Sequence, residues 1–387
     1  MLPNCETCPP IHGTEDVMAP TETKRNQLLT RLRSLYESLG YTRFSMRRFE
    51  EYGLYLENKS FLKSENVLTF TNPDGKLMAL KPDVTLSIVK HARREREGIE
   101  RVYYQESVYS YSAVNREVAE IEQMGIEAMG EADEYVVGEV VRLAVESLKL
   151  IGLPYVLDVS HMGFTTGLLD GAGLSPGQQE QALKLIRKKN AHELEAYLTA
   201  QEIAPEFAGR IVRMTALAGP FDTIFPAAQQ LSANPQTGAA LDELKALYDT
   251  LDAADAADSL RLDLSMLNEL DYYNGIVFQG YVQGAPRAVL SGGRYDLLMR
   301  RFGKQADGIG FAVYLDELSR TLSDRRALDA DALVLYRDGD DLQVLHQAVF
   351  DLAAQGLRVI TRTGKKPDDL KVGQTLRFAQ GSLKEVR

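Results

Sequence analysis

Carboxylates, amides and phenols gather in one stretch of this chain, Arg101 to Gly130, which reads RVYYQESVYSYSAVNREVAEIEQMGIEAMG. Val102, Tyr104 and Val108 are β-formers separated by polar residues. Ile121, Met124 and Ile126 resume the extended apolar pattern after a segment rich in Ser, Asn and Tyr. A strand–loop–strand hairpin there would bring Glu106, Glu122, Gln123 and Glu127 near one another. Those four could floor a polar pocket, or they could be the solvated face of a surface hairpin. Asp83, between Pro82 and Val84, could hold an ammonium group by a charge-assisted hydrogen bond, or cap the helix that follows; the two uses are compatible. His161 has no Ser, Cys or metal partner at an interpretable spacing, which points to a structural or surface role. Cys5, Cys8 and His12 offer three metal ligands where a closed structural zinc site needs four, so a reduced pair in an irregular N-terminal tail is the simpler expectation.

The surrounding pattern supplies elements to position these groups. Leu28, Leu29, Leu32, Leu35, Tyr36 and Leu39 follow helical spacing from Lys24 to Leu39, with Gly40 as the stop, and Tyr41 to Phe49 reads as a strand. Val67–Thr71 and Lys76–Leu80 flank Asn72-Pro73-Asp74-Gly75, a hairpin turn sequence, and a helix runs on through Ile88 to Arg96. Glu134 to Leu150 is an apolar-sided helix, and Pro154 to Val159 a strand. Residues 170–255 are almost wholly helical in pattern, with breaks at Ser175-Pro176-Gly177 and Gly219-Pro220. The Ala-Asp run from Asp252 to Asp258 fits a solvated helix or linker. Strand composition returns at Leu262–Leu264, Ile276–Tyr281 and Ala288–Leu290, ahead of Gly292-Gly293. Beyond Ala330 come a strand (Ala332–Tyr336), a helix (Asp341–Gln355) stopped by Gly356, a strand (Leu357–Thr363) and a last strand near Thr375–Ala379.

With 387 residues, 44% of them hydrophobic, the chain can build two or three domains around a sizeable core. Its net charge of −11 argues against a nucleic-acid role, because phosphate backbones are held by clustered Lys and Arg. Arg93-Arg94-Glu95-Arg96 is a basic run, and a solvated helix face is its simpler reading. No stretch is long or apolar enough to span a membrane and no signal segment leads the chain, so a cytoplasmic location is expected.

Several segments, in order, resemble the histidyl-tRNA synthetase family. Tyr103-Tyr104-Gln105-Glu106 with Gln123-Met124-Gly125-Ile126-Glu127 is similar to that family's motif 2, F-R-x-E followed by Q-x-G-x-E. Leu80-Lys81-Pro82-Asp83-Val84-Thr85 is similar to L-R-P-E-x-T, Leu270-Asp271-Tyr272-Tyr273 to L-D-Y-Y, and Gly292-Gly293-Arg294-Tyr295-Asp296 to G-G-R-Y-D. Gly308-Ile309-Gly310-Phe311-Ala312 resembles the start of motif 3. The resemblance implies an α+β fold: a class II synthetase-like antiparallel sheet flanked by helices over residues 1–325, a helical insertion at about 170–255, and a small α/β domain at 326–387. It also implies a homodimer, although Arg47 stands near the proline that shapes the family's motif 1 interface.

Three arginines of the family pattern are missing. Tyr104 stands where motif 2 clamps the α-phosphate of ATP, Glu317 where motif 3 has its arginine, and Asn268 where an arginine precedes L-D-Y-Y. Fixed guanidinium donors lower the barrier to adenylate formation by several kcal/mol, so their loss argues against amino-acid activation. A synthetase scaffold without these arginines, carrying a reduced C-terminal domain, is similar to the family of regulatory subunits of ATP phosphoribosyltransferase. That resemblance implies a non-catalytic protein without a cofactor or metal, partnered with the short catalytic subunit in a hetero-octamer. It implies activation of the first step of histidine biosynthesis and feedback inhibition by histidine.

The implied histidine site places Asp83, Thr85 and Gln123 at the amino group, and Glu127, Tyr272, Tyr273 and Tyr295 around the imidazole. Arg116 would reach the carboxylate from a mobile loop, Ser107 to Arg116, that orders on binding. Two other classes stay open: a histidine-activating enzyme, which would exchange pyrophosphate with ATP, and a synthetase-like scaffold for another partner, which would not bind histidine.

Overall fold

The computed structural model describes residues 22–57, 67–92, 98–112, 117–267, 273–319, 321, 328–367 and 370–386. Cys5, Cys8, His12, the basic run at 93–96, Arg116, Asn268 and Tyr272 lie outside the described residues. The described residues divide into two compact units, one within Gln27–Thr321 and the other made of 22–26 with 328–386.

The larger unit takes α1 (Glu22–Ser38) from Gln27 onward, then β1 (Thr42–Arg43), β2 (Phe49–Glu51), α2 (Gly53–Glu57), β3 (Thr69–Thr71), β4 (Leu77–Leu80) and α3 (Val84–His91). The long hairpin β5 (Ile99–Ser112) and β6 (Glu117–Gly130) follows, then α4 (Glu134–Ile151) and β7 (Tyr155–His161). A helical run comes next: α5 (Met162–Gly171), α6 (Pro176–Arg187), α7 (Ala191–Ala200) and α8 (Pro205–Met214). The short strand β8 (Ala218–Pro220) separates these from α9 (Phe221–Leu231) and α10 (Pro235–Asp252). The unit closes with β9 (Leu260–Asp263), β10 (Ile276–Val282), β11 (Leu290–Arg294), α11 (Asp296–Arg301), β12 (Asp307–Tyr314) and α12 (Leu315–Ser319).

Nine of these strands form one sheet in the order β1-β5-β6-β12-β11-β10-β7-β9-β8. All neighbours are antiparallel except β1 with β5 and β7 with β9. The expected antiparallel sheet is therefore a mixed one. Helix α4 lies on its back, capped at one end by Asp133, which accepts from the Val136 amide at 3.0 Å, and ended by Gly152 in the left-handed conformation at φ 78°. Its apolar side, including Val140, Val141, Ala144 and Leu148, is fully buried. Leu148 packs over Gly280 of β10, where a side chain would clash with it. Tyr36 of α1 bonds Ser147 of α4 at 3.0 Å and meets Phe311 of β12 edge to face. With the back of the sheet filled in this way, its front face is where a pocket can open.

Two expectations need correction. The segment Tyr41 to Phe49 is not one strand: β1 joins the large sheet, while β2 pairs with β4 in a separate three-stranded sheet, β2-β4-β3. Ser107 to Ser112 is not loop either, because β5 stays paired to β6 through Ser112 opposite Glu117. Val108 is buried there and Ile121 packs against the same core, while Ser107, Tyr109, Ser110 and Tyr111 are only partly buried, so the segment carries little of the alternation that marks a half-buried strand. The β3–β4 turn is as expected: Asn72 accepts from the amides of Asp74 and Lys76 at 3.1 and 2.8 Å, and Gly75 takes φ 81°.

The smaller unit holds β13 (Ala330–Tyr336), α13 (Leu342–Ala354), β14 (Val359–Thr363), β15 (Val372–Ala379) and β16 (Ser382–Glu385), in a sheet of order β14-β13-β15-β16. Its core packs Leu345, Val349 and Leu352 of α13 on Ala332, Val334 and Phe378.

Candidate functional site

On the front of the large sheet, α3 and the strands β5, β6, β11 and β12 enclose a cavity of about 260 Å3. That is the scale of a small metabolite rather than a nucleotide or peptide. Asp83, Thr85, Gln123, Glu127, Tyr273 and Tyr295 line it together, so six of the eight candidate residues meet here from four separate parts of the chain. Strand pairing explains how. Tyr104, Gly125, Ala312 and Ser291 stand opposite one another across β5, β6, β12 and β11, so their row crosses the pocket floor. Glu127 lies one step along, opposite Gly310.

Glu127 is the deepest charged group, 2% exposed. Its Oε1 accepts the Thr85 hydroxyl at 2.6 Å and its Oε2 accepts the Tyr295 hydroxyl at 2.7 Å. Burial pushes its carboxyl up to about 8; the two hydroxyls pull the other way, and the charge of Asp83 adds to the rise. The site tolerates this side chain only because Gly310 faces it: a Cβ there would sit 1.8 Å from Glu127 Oε2. Gly308 likewise leaves room for the ring of Tyr295, which a Cβ would approach to 2.2 Å.

Tyr295 is anchored from behind. Its amide donates to the Gly308 carbonyl at 2.7 Å. Its neighbour Asp296, 4% exposed, accepts from Arg294 Nε at 2.8 Å and from the Gly308 amide at 3.1 Å. The Gly-Gly-Arg-Tyr-Asp stretch is thus a bracket that fixes one phenol. Burial holds the hydroxyls of Tyr104, Tyr273 and Tyr295 well above the ordinary phenol value, with the charge of Glu127 pressing in the same direction. They are neutral donors throughout the physiological range.

Asp83 caps α3: its Oδ1 accepts from the Leu86 amide at 2.7 Å. Both of its expected uses are open, since the same carboxylate lines the cavity. Thr85 lines the cavity too, with its hydroxyl donating to Glu127 Oε1 and its oxygen lone pairs left to accept. Glu106 and Glu122 do not join this lining. Glu106 is neutralised by the buried Lys81 at 2.7 Å, and strand alternation turns Glu122 to the opposite face of the hairpin from Gln123 and Glu127. Both line a smaller neighbouring cavity of about 150 Å3 with Arg48. His161 is structural: Nδ1 accepts the Gly163 amide at 3.1 Å as the cap of α5, so Nε2 carries the hydrogen directed at Glu243, 3.0 Å away.

Tyr314 and Ser291 line the cavity without having been singled out, and Tyr104 does so as more than an absent arginine. The register that brings them together lies in the pairing of β11, β12 and β6, which no local pattern encodes. Among the described lining residues there are two carboxylates and four phenols, and no Lys, Arg or His. Glu317, at the motif 3 position, stands outside the lining with Arg287 3.7 Å away. The lining suits a small ligand with ammonium or ring N–H groups and does not suit a polyphosphate.

This fold and pocket define a class II, histidyl-tRNA synthetase-like protein, and the histidyl-tRNA synthetase family model matches residues 13–318. An ATP phosphoribosyltransferase regulatory subunit from Desulforamulus reducens is 30% identical over 367 residues, covering 92% of this chain and 90% of that one. The chain belongs to the family of ATP phosphoribosyltransferase regulatory subunits. Among solved structures, an ATP phosphoribosyltransferase regulatory subunit/histidyl-tRNA synthetase from Bacillus halodurans superposes with a TM-score of 0.83 at 22% identity, covering 97% of this chain and 99% of that one. A chain of the ATP phosphoribosyltransferase HisG:HisZ complex from Thermotoga maritima gives 0.60 at 21% identity, over 75% of this chain and 96% of that one. Among the described residues no helix is long and apolar enough to cross a membrane, and no group of three or more His, Cys, Asp or Glu could hold a metal.

Proposed function

We propose that this chain is the non-catalytic regulatory subunit of a cytoplasmic ATP phosphoribosyltransferase and that it senses histidine in the pocket around Glu127. It acts as a homodimer within a hetero-octamer with the short catalytic subunit, raising phosphoribosyl-ATP synthesis and withdrawing that stimulation when histidine binds. One observation carries this reading: a cavity of amino-acid size with a carboxylate and an amide, Asp83 and Gln123, in its lining and the Thr85–Glu127–Tyr295 cluster at its base.

Asp83 and Gln123 receive the ammonium group, and Glu127, Tyr273 and Tyr295 read the imidazole, with Thr85 orienting Glu127. Tyr272 joins the ring contacts and Arg116 pairs with the carboxylate; an unchanged affinity in Arg116→Ala would remove Arg116 from the site. Hydrogen bonds to the ring exclude analogues without one, because the buried polar groups would go unpaired. With Tyr104 fully buried in the lining and Glu317 paired toward Arg287, the guanidinium donors of amino-acid activation are replaced at both positions. A regulatory effect requires a coupling of about 1–3 kcal/mol between histidine and the state of the complex.

Calorimetric titration of histidine into this protein and into Glu127→Gln tests the reading. One site per chain in the parent, weakened at least about tenfold in the variant, is expected. A parent that does not bind histidine contradicts it. Histidine-dependent exchange of pyrophosphate with ATP, the mark of an activating enzyme, should be absent.

A further inference from the structure

The base of the pocket is built around a carboxyl group with no Lys, Arg or His among the described residues that line it. Glu127 meets Asp83 and Thr85 from the start of α3, Tyr104 from β5, Tyr273 ahead of β10, Tyr295 from the β11–α11 junction and Gly310 of β12. Asp83 is the other titrating acid in that set, the four neighbours Thr85, Tyr104, Tyr273 and Tyr295 are hydroxyl donors, and no basic side chain stands among the described lining residues. Both oxygens of Glu127 are nonetheless set to receive hydrogens, at 2.6 and 2.7 Å. The cavity is thus shaped for a carboxylate and lacks the positive charge that a buried carboxylate requires. A cationic ligand supplies the charge that these lining residues do not.

Resting on the histidine-binding reading above, we infer that the pocket holds histidine with its ring as the imidazolium cation, the second ring proton coming from the carboxyl of Glu127. As the ring seats, the O–H bond of the Glu127 carboxyl breaks and an N–H bond forms at the unprotonated ring nitrogen. The carboxyl becomes a carboxylate, the imidazole becomes a cation, and no proton is exchanged with solvent. A charge-assisted hydrogen bond in a water-poor site is about twice as strong as its neutral counterpart, which favours the transfer. Thr85 and Tyr295 already stabilise the carboxylate product.

The free ring titrates at about 6.5, and burial pushes the Glu127 carboxyl up to about 8, so both partners are neutral between those limits. Within that window binding is proton-neutral. Below it Glu127 must release a proton, and above it the site must take one up. Affinity therefore falls up to about tenfold per pH unit on either side. These edges follow from the number of protons in the complex and are shared by a neutral ring bound to a protonated Glu127, so the state of the ring itself distinguishes transfer from simple binding.

The test uses histidine labelled with 15N in the ring, bound to the unmodified protein at a pH midway through the window and observed by NMR. Both ring nitrogens of the bound ligand are expected at imidazolium positions while the free ligand shows the neutral pattern, and calorimetry in two buffers of different ionisation enthalpy is expected to give no net proton exchange. A bound ring in the neutral form overturns the inference and leaves the histidine site standing. No bound signal overturns both.

Discussion

The hydroxyl of Tyr295 donates to Glu127 Oε2 at 2.7 Å, across 168 residues of sequence, and this contact joins the Gly-Gly-Arg-Tyr-Asp bracket to the hairpin strand β6. Replacing Tyr295 by Phe keeps the ring that fills the space above Gly308 and removes the donor alone. Glu127 then loses one of the two bonds that favour its charged form, and its carboxyl rises further. Histidine affinity should fall about five- to tenfold, near 1 kcal/mol, with the fold retained, as read by titration calorimetry beside far-ultraviolet circular dichroism.

The same carboxyl gives the protein a pH signature. Its proton is held more tightly in the folded chain than in the unfolded one, because burial raises it from the ordinary 4.5 to about 8. The folded state is therefore favoured in full below pH 4.5, and its advantage is lost as pH rises through the window up to about 8. Glu127→Gln abolishes this slope. Its stability relative to the parent should improve with rising pH by on the order of 1 kcal/mol per unit within the window, measured by urea unfolding at several pH values. Parallel profiles for the two proteins would contradict the burial argument.

Lys81 and Glu106 form a pair 2.7 Å apart with the lysine side chain 1% exposed, whereas Lys76 and Glu51, at 2.8 Å, are 61% and 66% exposed. Breaking the first with Lys81→Met strands a carboxylate that is 14% exposed and should cost about 3 kcal/mol. Lys76→Met should leave the unfolding midpoint where it is, because water and salt screen an exposed pair. Equal effects of the two changes would mean that the Lys81 environment is wetter than its burial implies.

Local chemistry made some of the fold legible. The Asn72–Gly75 turn depends on residues a few positions apart, and it stands where the sequence places it. The site was legible only through motif order. Thr85 is 42 residues from Glu127 and Tyr295 is 168 residues from it, so no spacing rule could have joined them. Ser291 and Tyr314 were missed because their place in the lining depends on the register of three strands. The end of the hairpin misled in the other direction: Ser107 to Ser112 reads as loop because Val108 is buried there among serines and partly buried tyrosines, too little apolar alternation to mark a strand. The break between β1 and β2 escaped for a related reason, since an extended segment looks the same whether it stays in one sheet or crosses to another.

The loss of guanidinium groups at the Tyr104 and Glu317 positions carries its own expectation. The ring of Tyr104 is fully buried in the cavity wall and Glu317 adds a carboxylate beside it in sequence to Asp316, which binds the Glu122 amide at 2.7 Å. ATP with magnesium should leave the thermal midpoint of the histidine-saturated protein unchanged in a thermal shift assay, because its phosphates meet no fixed donors there. An ATP-dependent rise in the midpoint would restore the activating-enzyme reading.

The central claim is tested most directly by phosphoribosyl-ATP formation by a short-form catalytic subunit, with and without this protein, across a histidine titration. The expected result is a rate raised by this protein and lowered again by histidine, with Glu127→Gln retaining the stimulation and shifting the histidine response to higher concentration. A rate that ignores this protein at every histidine concentration, with a catalytic subunit from the same organism, would contradict the regulatory account.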